Sequence, residues 1–224
     1  MEDFERKHVH QFYQDSSKEF SATRYKPWPK IEYFYQKYVK ETDIIFDAGS
    51  GNGRNTLFPE RTVSLDFSDG LLRIAQEKHN GMAYIRADLG DDLGIVPGVF
   101  DICISVAVIH HLSSEERRYK AVQSMVNSLR IGGHALIYVW SESPESKPSK
   151  FISIPNLEDA SLDKISGLSG NDVFVGWKSK NTLNRYYHLF KMNELENLLS
   201  TLPVEILESG KDHGNYYAVI RRVI

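Results

Sequence analysis

Short apolar runs alternate with amphipathic stretches along most of this chain. The runs at 43–47, 62–66, 82–87, 101–107 and 134–140 are rich in Ile, Val, Phe and Ala. That pattern predicts strands buried on both faces. Between them the apolar spacing switches to the helical period, predicting helices over 53–58, 68–79 and 114–130. Strands separated by helices read as βαβ units, hence an α/β fold with a mostly parallel sheet. A further helix at 191–200 and strands at 203–209 and 215–222, joined by Gly210-Lys211-Asp212-His213-Gly214, complete a seven-stranded sheet. Gly132-Gly133 marks a tight turn after the long helix. Upstream, Phe4, Val9, Phe12, Tyr13 and Phe20 form a helical stripe over 4–20. Pro27 and Pro29 then interrupt before a helix at 30–40. Residues 141–184 break the pattern, being polar and punctuated by Pro144, Pro148 and Pro155. Too few large apolar residues occur there for a second core. The stretch is predicted as an insertion or lid on a single domain spanning 1–224, with residues 1–40 as a helical extension.

Composition narrows the class. Hydrophobic residues make up 41% of the 224 and charged residues 25%, as in ordinary soluble globular proteins. A net charge of −3 excludes a generally basic nucleic-acid binder, so any such surface is local. Its candidates are Lys26 and Lys30, Arg117-Arg118-Tyr119-Lys120, Lys178 and Lys180, and Arg221-Arg222. Cys103 is the single cysteine, which rules out an internal disulfide and a cysteine-rich zinc site, and its neighbours place it in the core. No run reaches membrane-spanning length, and Glu2, Asp3, Glu5, Arg6 and Lys7 are too charged for a secretory signal. The expectation is a protein of the cytoplasm or nucleus, without a membrane partner. Val99, Phe100, Ile102, Ile104 and the apolar face of the 114–130 helix are rich enough to serve both core and interface.

The chemistry concentrates at strand ends. Ile44-Ile45-Phe46 runs into Asp47-Ala48-Gly49-Ser50-Gly51-Asn52-Gly53. Glycines in such a turn let backbone N–H groups approach a nucleoside cofactor. The third glycine comes one residue early for the dinucleotide pattern, and no P-loop Lys-Ser/Thr follows. With an acid ahead of the first glycine, the turn favours S-adenosylmethionine (SAM) over NAD or ATP, although an ordinary strand-to-helix turn would read the same. Asp47, Asp66 and Asp88 close three successive strands. For SAM, Asp47 would organise the glycine turn (Gly49, Gly51), Asp66 would accept from both ribose hydroxyls, and Asp88 from the adenine amino group.

Further segments carry a resemblance. These are Val9-His10-Gln11-Phe12-Tyr13, Phe20 to Pro29 with its Arg24-Tyr25-Lys26-Pro27-Trp28-Pro29 block, and Ile104 to Leu112 with its His110-His111 pair. Gly132 to Trp140, Arg185-Tyr186-Tyr187-His188 and Gly214-Asn215-Tyr216 complete the set. With the glycine turn they make the chain resemble the eukaryotic tRNA carboxymethyluridine methyltransferases. That resemblance implies a class I SAM-dependent, Rossmann-like fold and methyl esterification of the carboxymethyl group on wobble uridine in the tRNA anticodon loop. It also implies a small zinc-binding activator subunit as heterodimer partner. The chain departs from the family in having Ser50 for Cys, Ile131 for Pro, Gly176 for Pro and Tyr216 for Trp.

The reaction sets the expected roles. A carboxylate needs no general base, so positioning and exclusion of water matter most. His110 is the catalytic candidate that donates one hydrogen bond as a neutral imidazole. Arg24 is a catalytic cation for a carboxylate, that of the uridine or that of SAM, and Arg185 is a second, on the opposite wall with Tyr187 and His188. Tyr13 would cover the cofactor. Lys26, Trp28, Tyr187, His188 and Asn215 would line the substrate side. A SAM enzyme for a small-molecule carboxylate or quinone, and a non-catalytic scaffold, stay open. The polar 141–184 stretch speaks against the first and the intact acids against the second.

Overall fold

The computed structural model describes residues 2–24, 26–143, 151–153, 170–177 and 180–224. Seven strands form one sheet: β1 (Ile45–Ala48), β2 (Thr62–Asp66), β3 (Ala83–Arg86), β4 (Phe100–Val106), β5 (Leu129–Trp140), β9 (Val204–Asp212) and β10 (Asn215–Arg222). Their order is β3-β2-β1-β4-β5-β10-β9. The first five strands run parallel, while β10 is antiparallel to both β5 and β9. Strand order reverses between β1 and β4, the place where such a sheet opens a crevice for a ligand.

Side-chain alternation divides the core. Phe46 and Cys103 face one side with Val122, Met125 and Val126 of α6 (Glu115–Ser128) and with Leu195 and Leu199 of α7 (Glu194–Ser200). Ile45, Ile102, Ile104 and Tyr138 face the other, under Ile31, Phe34 and Tyr35 of α4 (Pro29–Tyr38). α5 (Asp69–Lys78) follows β2 and is capped by Ser68, whose Oγ accepts from the Leu71 N–H at 3.3 Å. The N-terminal stripe forms α1 (Glu2–Glu5), a π-helical turn (Arg6–His10), α2 (Gln11–Asp15) and α3 (Ser17–Ala22). Several of its apolar residues, Phe4, Val9 and Phe12, are buried.

Three expectations change. No helix forms over 53–58. Gly51 and Gly53 adopt positive φ, and Pro59 starts a 3-10 turn after an extended Phe58 (φ −129°, ψ 74°), so the segment stays a loop. β5 begins earlier than predicted, and its pairing with β4 slips between Phe100 and Ile102 to absorb Gly132-Gly133. Within 141–184, the described parts include strands. β6 (Phe151–Ser153), β7 (Asp172–Trp177) and β8 (Lys180–His188) make a second, antiparallel sheet in which Val173, Phe174 and Val175 are buried. Pro144, Pro148, Pro155 and the lysines 147, 150, 164 and 178 lie outside the described residues.

The sequence also overestimated the apolar surface. Phe100, Ile102, Ile104 and the α6 face are fully spent on the core, and of the named residues only Val99 is exposed. Among the described residues, no helix is long and apolar enough to cross a membrane.

Candidate active site

The glycine turn is held by the neighbouring strand. Gly49 and Ser50 donate their N–H groups to the Leu65 carbonyl at 2.8 and 2.9 Å. Gly51 donates to Asp66 Oδ2 at 2.8 Å, and Asp66 Oδ1 accepts from the Ser68 N–H at 2.8 Å. Gly49 has φ +92°, and a Cβ there would stand 2.2 Å from Val108 Cγ2, so only glycine fits. Asp66 thus braces the turn while lining a cavity of about 570 Å3. Burial raises its pKa, against three backbone hydrogen bonds that favour the anion.

Asp47 and Asp88 are arranged differently. Asp47 does not line the cavity; it lies buried behind the turn, accepting from Thr56 Oγ1 at 3.3 Å. Burial pushes its pKa to about 7, with the Thr56 bond opposing. Asp88 does line the cavity, but it is already partnered. Its Oδ1 accepts from the Gly90 N–H at 2.9 Å, and its Oδ2 meets Arg117 at 2.9 Å and His10 at 3.4 Å. Arg117 also reaches Glu5 and Asp91, each at 3.0 Å. Glu5, His10 and Asp88 come close enough to share a metal, yet the Arg117 guanidinium already supplies the positive charge there. His10 stacks on Phe67 with ring centres 3.5 Å apart, closing that end of the cavity with an aromatic face.

Beyond β4 the chain bends through Ala107, a non-glycine residue at φ +62°. Such a conformation is costly and tends to persist where a site demands it. It delivers His110 to the cavity wall. His110 Nδ1 accepts the Trp140 N–H at 3.1 Å, so the ring proton of the neutral imidazole resides on Nε2. Burial holds its pKa well below the usual histidine range, with His111 and Arg185 adding to that. His111 has the opposite tautomer. Its Nδ1–H donates to the Tyr186 carbonyl at 2.9 Å, and its Nε2 accepts from Tyr13 Oη at 2.8 Å. Burial lowers its pKa to about 3. Both imidazoles are therefore neutral at physiological pH.

Arginines line the remaining wall. Asn52, buried in the glycine turn, donates to Ser21 Oγ at 2.7 Å and to the Arg24 carbonyl at 2.9 Å, which pins the loop after α3 to the turn. Arg24 lies 3.9 Å over the Phe20 ring. Arg54 follows the third glycine and stands 5.1 Å over Trp28. Burial pushes the Arg54 pKa down to about 10, and the nearby Arg24 charge lowers it further within that value. Arg185 is buried 4.5 Å over Phe12, and its Nη1 donates to Tyr13 Oη at 3.3 Å. Tyr187 stacks on Trp140 with ring centres 4.4 Å apart.

One cavity therefore joins His110, Arg24, Arg185, Gly49, Gly51, Asp66, Asp88, Tyr13, Trp28, Tyr187 and Asn215. Asn215 is anchored by its own amide, which donates to the Asp212 and His213 carbonyls at 3.3 and 3.0 Å. Besides Asp47, two sequence candidates stay outside. Lys26 is exposed beyond the rim. His188 points away from the cavity, bonded to Asp172 Oδ1 at 2.9 Å and Glu194 Oε1 at 2.6 Å, because alternate residues of β8 face opposite sides. Sequence reasoning missed Arg54, Asn52 and His10; the only signal was a cation directly after the glycine turn.

Known proteins match this arrangement. A family profile described as a methyltransferase domain matches residues 46–137. A methyltransferase of Encephalitozoon cuniculi is 36% identical over 98% of this chain and 97% of its own length. The tRNA (carboxymethyluridine(34)-5-O)-methyltransferase of Schizosaccharomyces pombe is 31% identical, covering 98% of both chains. The solved complex of a Haloferax volcanii methyltransferase with its Trm112 activator superposes with a TM-score of 0.65 at 13% identity, over 96% of this chain and 98% of that one. The last likeness speaks to the fold alone. Sheet order, glycine turn and full-length relatives agree: this chain is a class I SAM-dependent methyltransferase and belongs to the tRNA (carboxymethyluridine(34)-5-O)-methyltransferase family.

Proposed function

We propose that this enzyme methylates the carboxymethyl group of wobble uridine in tRNA, producing the methyl ester, and acts with a small zinc-binding activator subunit. The observation that carries the reading is the polarity of one cavity. Asp66 shares its walls with His110, Arg24 and Arg185. The residues present fit SAM: Asp66 would accept from ribose hydroxyls at the cavity wall, and Phe67 and His10 offer an apolar face for adenine. Bound there, SAM supplies an electrophilic methyl on a positive sulfur.

The protein's residues do the rest. Arg24 and Arg185 hold the substrate carboxylate, and His110 Nε2–H orients it with a neutral donor. A cation clamped on the attacking oxygen itself would favour the ground state, so the guanidinia serve best on the other oxygen. Trp140 and Tyr187 give a stacked platform for an unpaired base. The roles of Asp47 and His188 shift to support, the first behind the glycine turn and the second behind β8.

RNA contact needs charge elsewhere than foreseen. Arg117 and Arg118 are buried, Lys120 pairs with Glu116, Lys30 with Glu208, and Arg221 with Glu205. Lys26 is exposed outside the cavity and is the first candidate. For the activator, the supporting observations are the family resemblance and an open sheet edge. β3 lies at that edge with Ala83, Ile85 and Arg86 exposed, the kind of surface a partner subunit covers.

The test is incubation of the protein, alone and with a zinc-binding activator, with tRNA carrying carboxymethyluridine, followed by mass spectrometry of the nucleosides. The reading expects a mass gain of one methyl at the wobble position. Unchanged carboxymethyluridine with a functional activator would overturn it.

A further inference from the structure

Methyl transfer draws directly on only one of the two histidines that follow β4, His110. The other, His111, is buried at the end of a 3-10 turn (Ile109–His111) and carries a chain of hydrogen bonds whose direction is fixed at one end. A carbonyl can only accept, so the Tyr186 carbonyl, 2.9 Å from Nδ1, sets the proton of the neutral ring on that nitrogen. Nε2 keeps its lone pair and takes the Tyr13 hydroxyl proton at 2.8 Å. With its proton turned to His111, the Tyr13 oxygen presents lone pairs elsewhere, and Arg185 Nη1 donates to it at 3.3 Å. Arg185 directly precedes Tyr186 in β8. The chain therefore leaves that strand at a guanidinium and returns to it at the next carbonyl, after passing through α2 and the turn beyond β4.

The opposite direction would undo this. A proton on His111 Nε2 would donate to Tyr13, and the phenol proton would swing out against the guanidinium N–H. Burial keeps that proton away by lowering the His111 pKa to about 3. Rings also surround the Arg185 guanidinium, with Phe12, Tyr187 and Tyr13 at 4.5, 5.2 and 5.8 Å, and Tyr187 packs on His111 with ring centres 4.4 Å apart. Ring contacts confine the group, and the hydrogen bond to Tyr13 gives it direction.

Two carboxylates enter this cavity, one on the substrate and one on the cofactor. Arg185 shares its face of β8 with Tyr187, which stacks on Trp140 at the end of β5 and on His110 beyond β4. Asp66 and the glycine turn lie at the ends of β2 and β1, across the point where strand order reverses. Arg54 follows that turn directly and lines the same cavity, so it can meet the carboxylate that the cofactor brings.

We infer that His111 is a positioning residue for the transfer: through the Tyr13 hydroxyl it sets the Arg185 guanidinium toward the carboxylate of the substrate. The inference rests on the function proposed above, and it adds one residue and a reason for the N-terminal helices to reach into the site.

Three substitutions test it. Tyr13→Phe keeps the ring and removes the oxygen. His111→Leu removes the acceptor, and His111→Gln sets an amide oxygen near the place of Nε2. Kinetics are measured on tRNA carrying carboxymethyluridine, with the zinc-binding activator present. Calorimetry follows S-adenosylhomocysteine and 5′-methylthioadenosine, of which only the first carries the cofactor's carboxylate. Tyr13→Phe and His111→Leu should each raise the KM for tRNA about fivefold with kcat little changed, the size of one net hydrogen bond. His111→Gln should recover most of that loss. In an Arg185→Gln background neither substitution should add more than about twofold, and the affinity ratio of the two nucleosides should stay within about twofold of the parent's. Should His111→Leu fail to fold, Tyr13→Phe with and without Arg185→Gln carries the same comparison. Equal losses with and without Arg185 would make the role structural and sink the inference. Loss of S-adenosylhomocysteine affinity alone, with the KM for tRNA unmoved, would assign Arg185 to the cofactor's carboxylate and defeat it too. Both results leave the function standing, whereas a parent enzyme that transfers no methyl with the activator present removes the function and this inference together.

Discussion

At the scale of single residues, the glycine turn and Asp66 were legible because their chemistry is local. A backbone that must approach a ligand needs glycine, and an acid at a strand end faces the crevice in any parallel sheet. Asp47 shows the limit of that logic. It occupies the expected strand end yet is buried away from the cavity, where it accepts from Thr56 Oγ1. Arg54 was invisible for the converse reason: nothing in the residue order says that a loop cation folds back over Trp28. Two substitutions separate the roles. Asp66→Ala should weaken SAM binding by about 1.5–3 kcal/mol, read by calorimetry. His110→Ala should lower turnover and leave that affinity nearly intact; equal losses would make His110 structural. Asp47 carries its own pH signature. Its folded pKa, about 7, exceeds the ordinary aspartate value of 3.8, so the folded state binds the extra proton and stability falls as pH rises between those values. Asp47→Asn should flatten that decline in denaturant titrations, and an unaltered slope would argue against the assignment.

At the scale of elements, β-strands with continuous apolar runs were readable within a residue or two, and α5 and α6 followed their periodicity and caps. The failures fall where tertiary context decides. The six residues from Gly53 to Phe58 cannot stabilise a helix alone. β7 and β8 were masked in the sequence by their polar surroundings, since Val173, Phe174 and Val175 form too short a run to announce a sheet. β8 shows how an element serves the site. Arg185 and Tyr187 face the cavity, while His188 faces away between Asp172 and Glu194. Burial alone would lower the His188 pKa, but its two carboxylate bonds outweigh burial and raise it. The bond to His188 likewise holds Glu194 below its ordinary value despite burial. The histidine contribution is full below its unfolded pKa of about 6.5 and fades as pH rises through the folded one. The Glu194 contribution is present above about 4.5 and fades as pH falls through its own folded value. His188→Gln should therefore cost most stability between those two unfolded values, on the order of 1–3 kcal/mol, and less at alkaline pH. A variant as stable as the parent at pH 6 would remove the clamp from the account.

At the scale of the whole molecule, the α/β order was written in the alternation of runs, because a parallel sheet buries its strands on both faces. The distribution of surface charge was not, because ion pairs between distant segments decide which cations remain available. Most of the basic clusters visible in the sequence are consumed internally, by Glu5, Asp88, Asp91, Glu116, Glu205 and Glu208. With a net charge of −3 and those cations committed, tRNA binding by this chain alone should be weak. The slope of log K against log salt should be shallower than about −3, the value for a handful of phosphate contacts. A steep slope would reveal a basic surface that the described residues do not account for.

The account depends on one cavity with acids gripping the nucleoside and guanidinia facing the reacting end. A crystal structure of the protein with S-adenosylhomocysteine tests this most directly. The account predicts both ribose hydroxyls on Asp66, adenine beside Phe67 and Asp88, and the sulfur directed toward His110, Arg24 and Arg185. A nucleoside bound away from Asp66, or a sulfur facing the opposite wall, would contradict it.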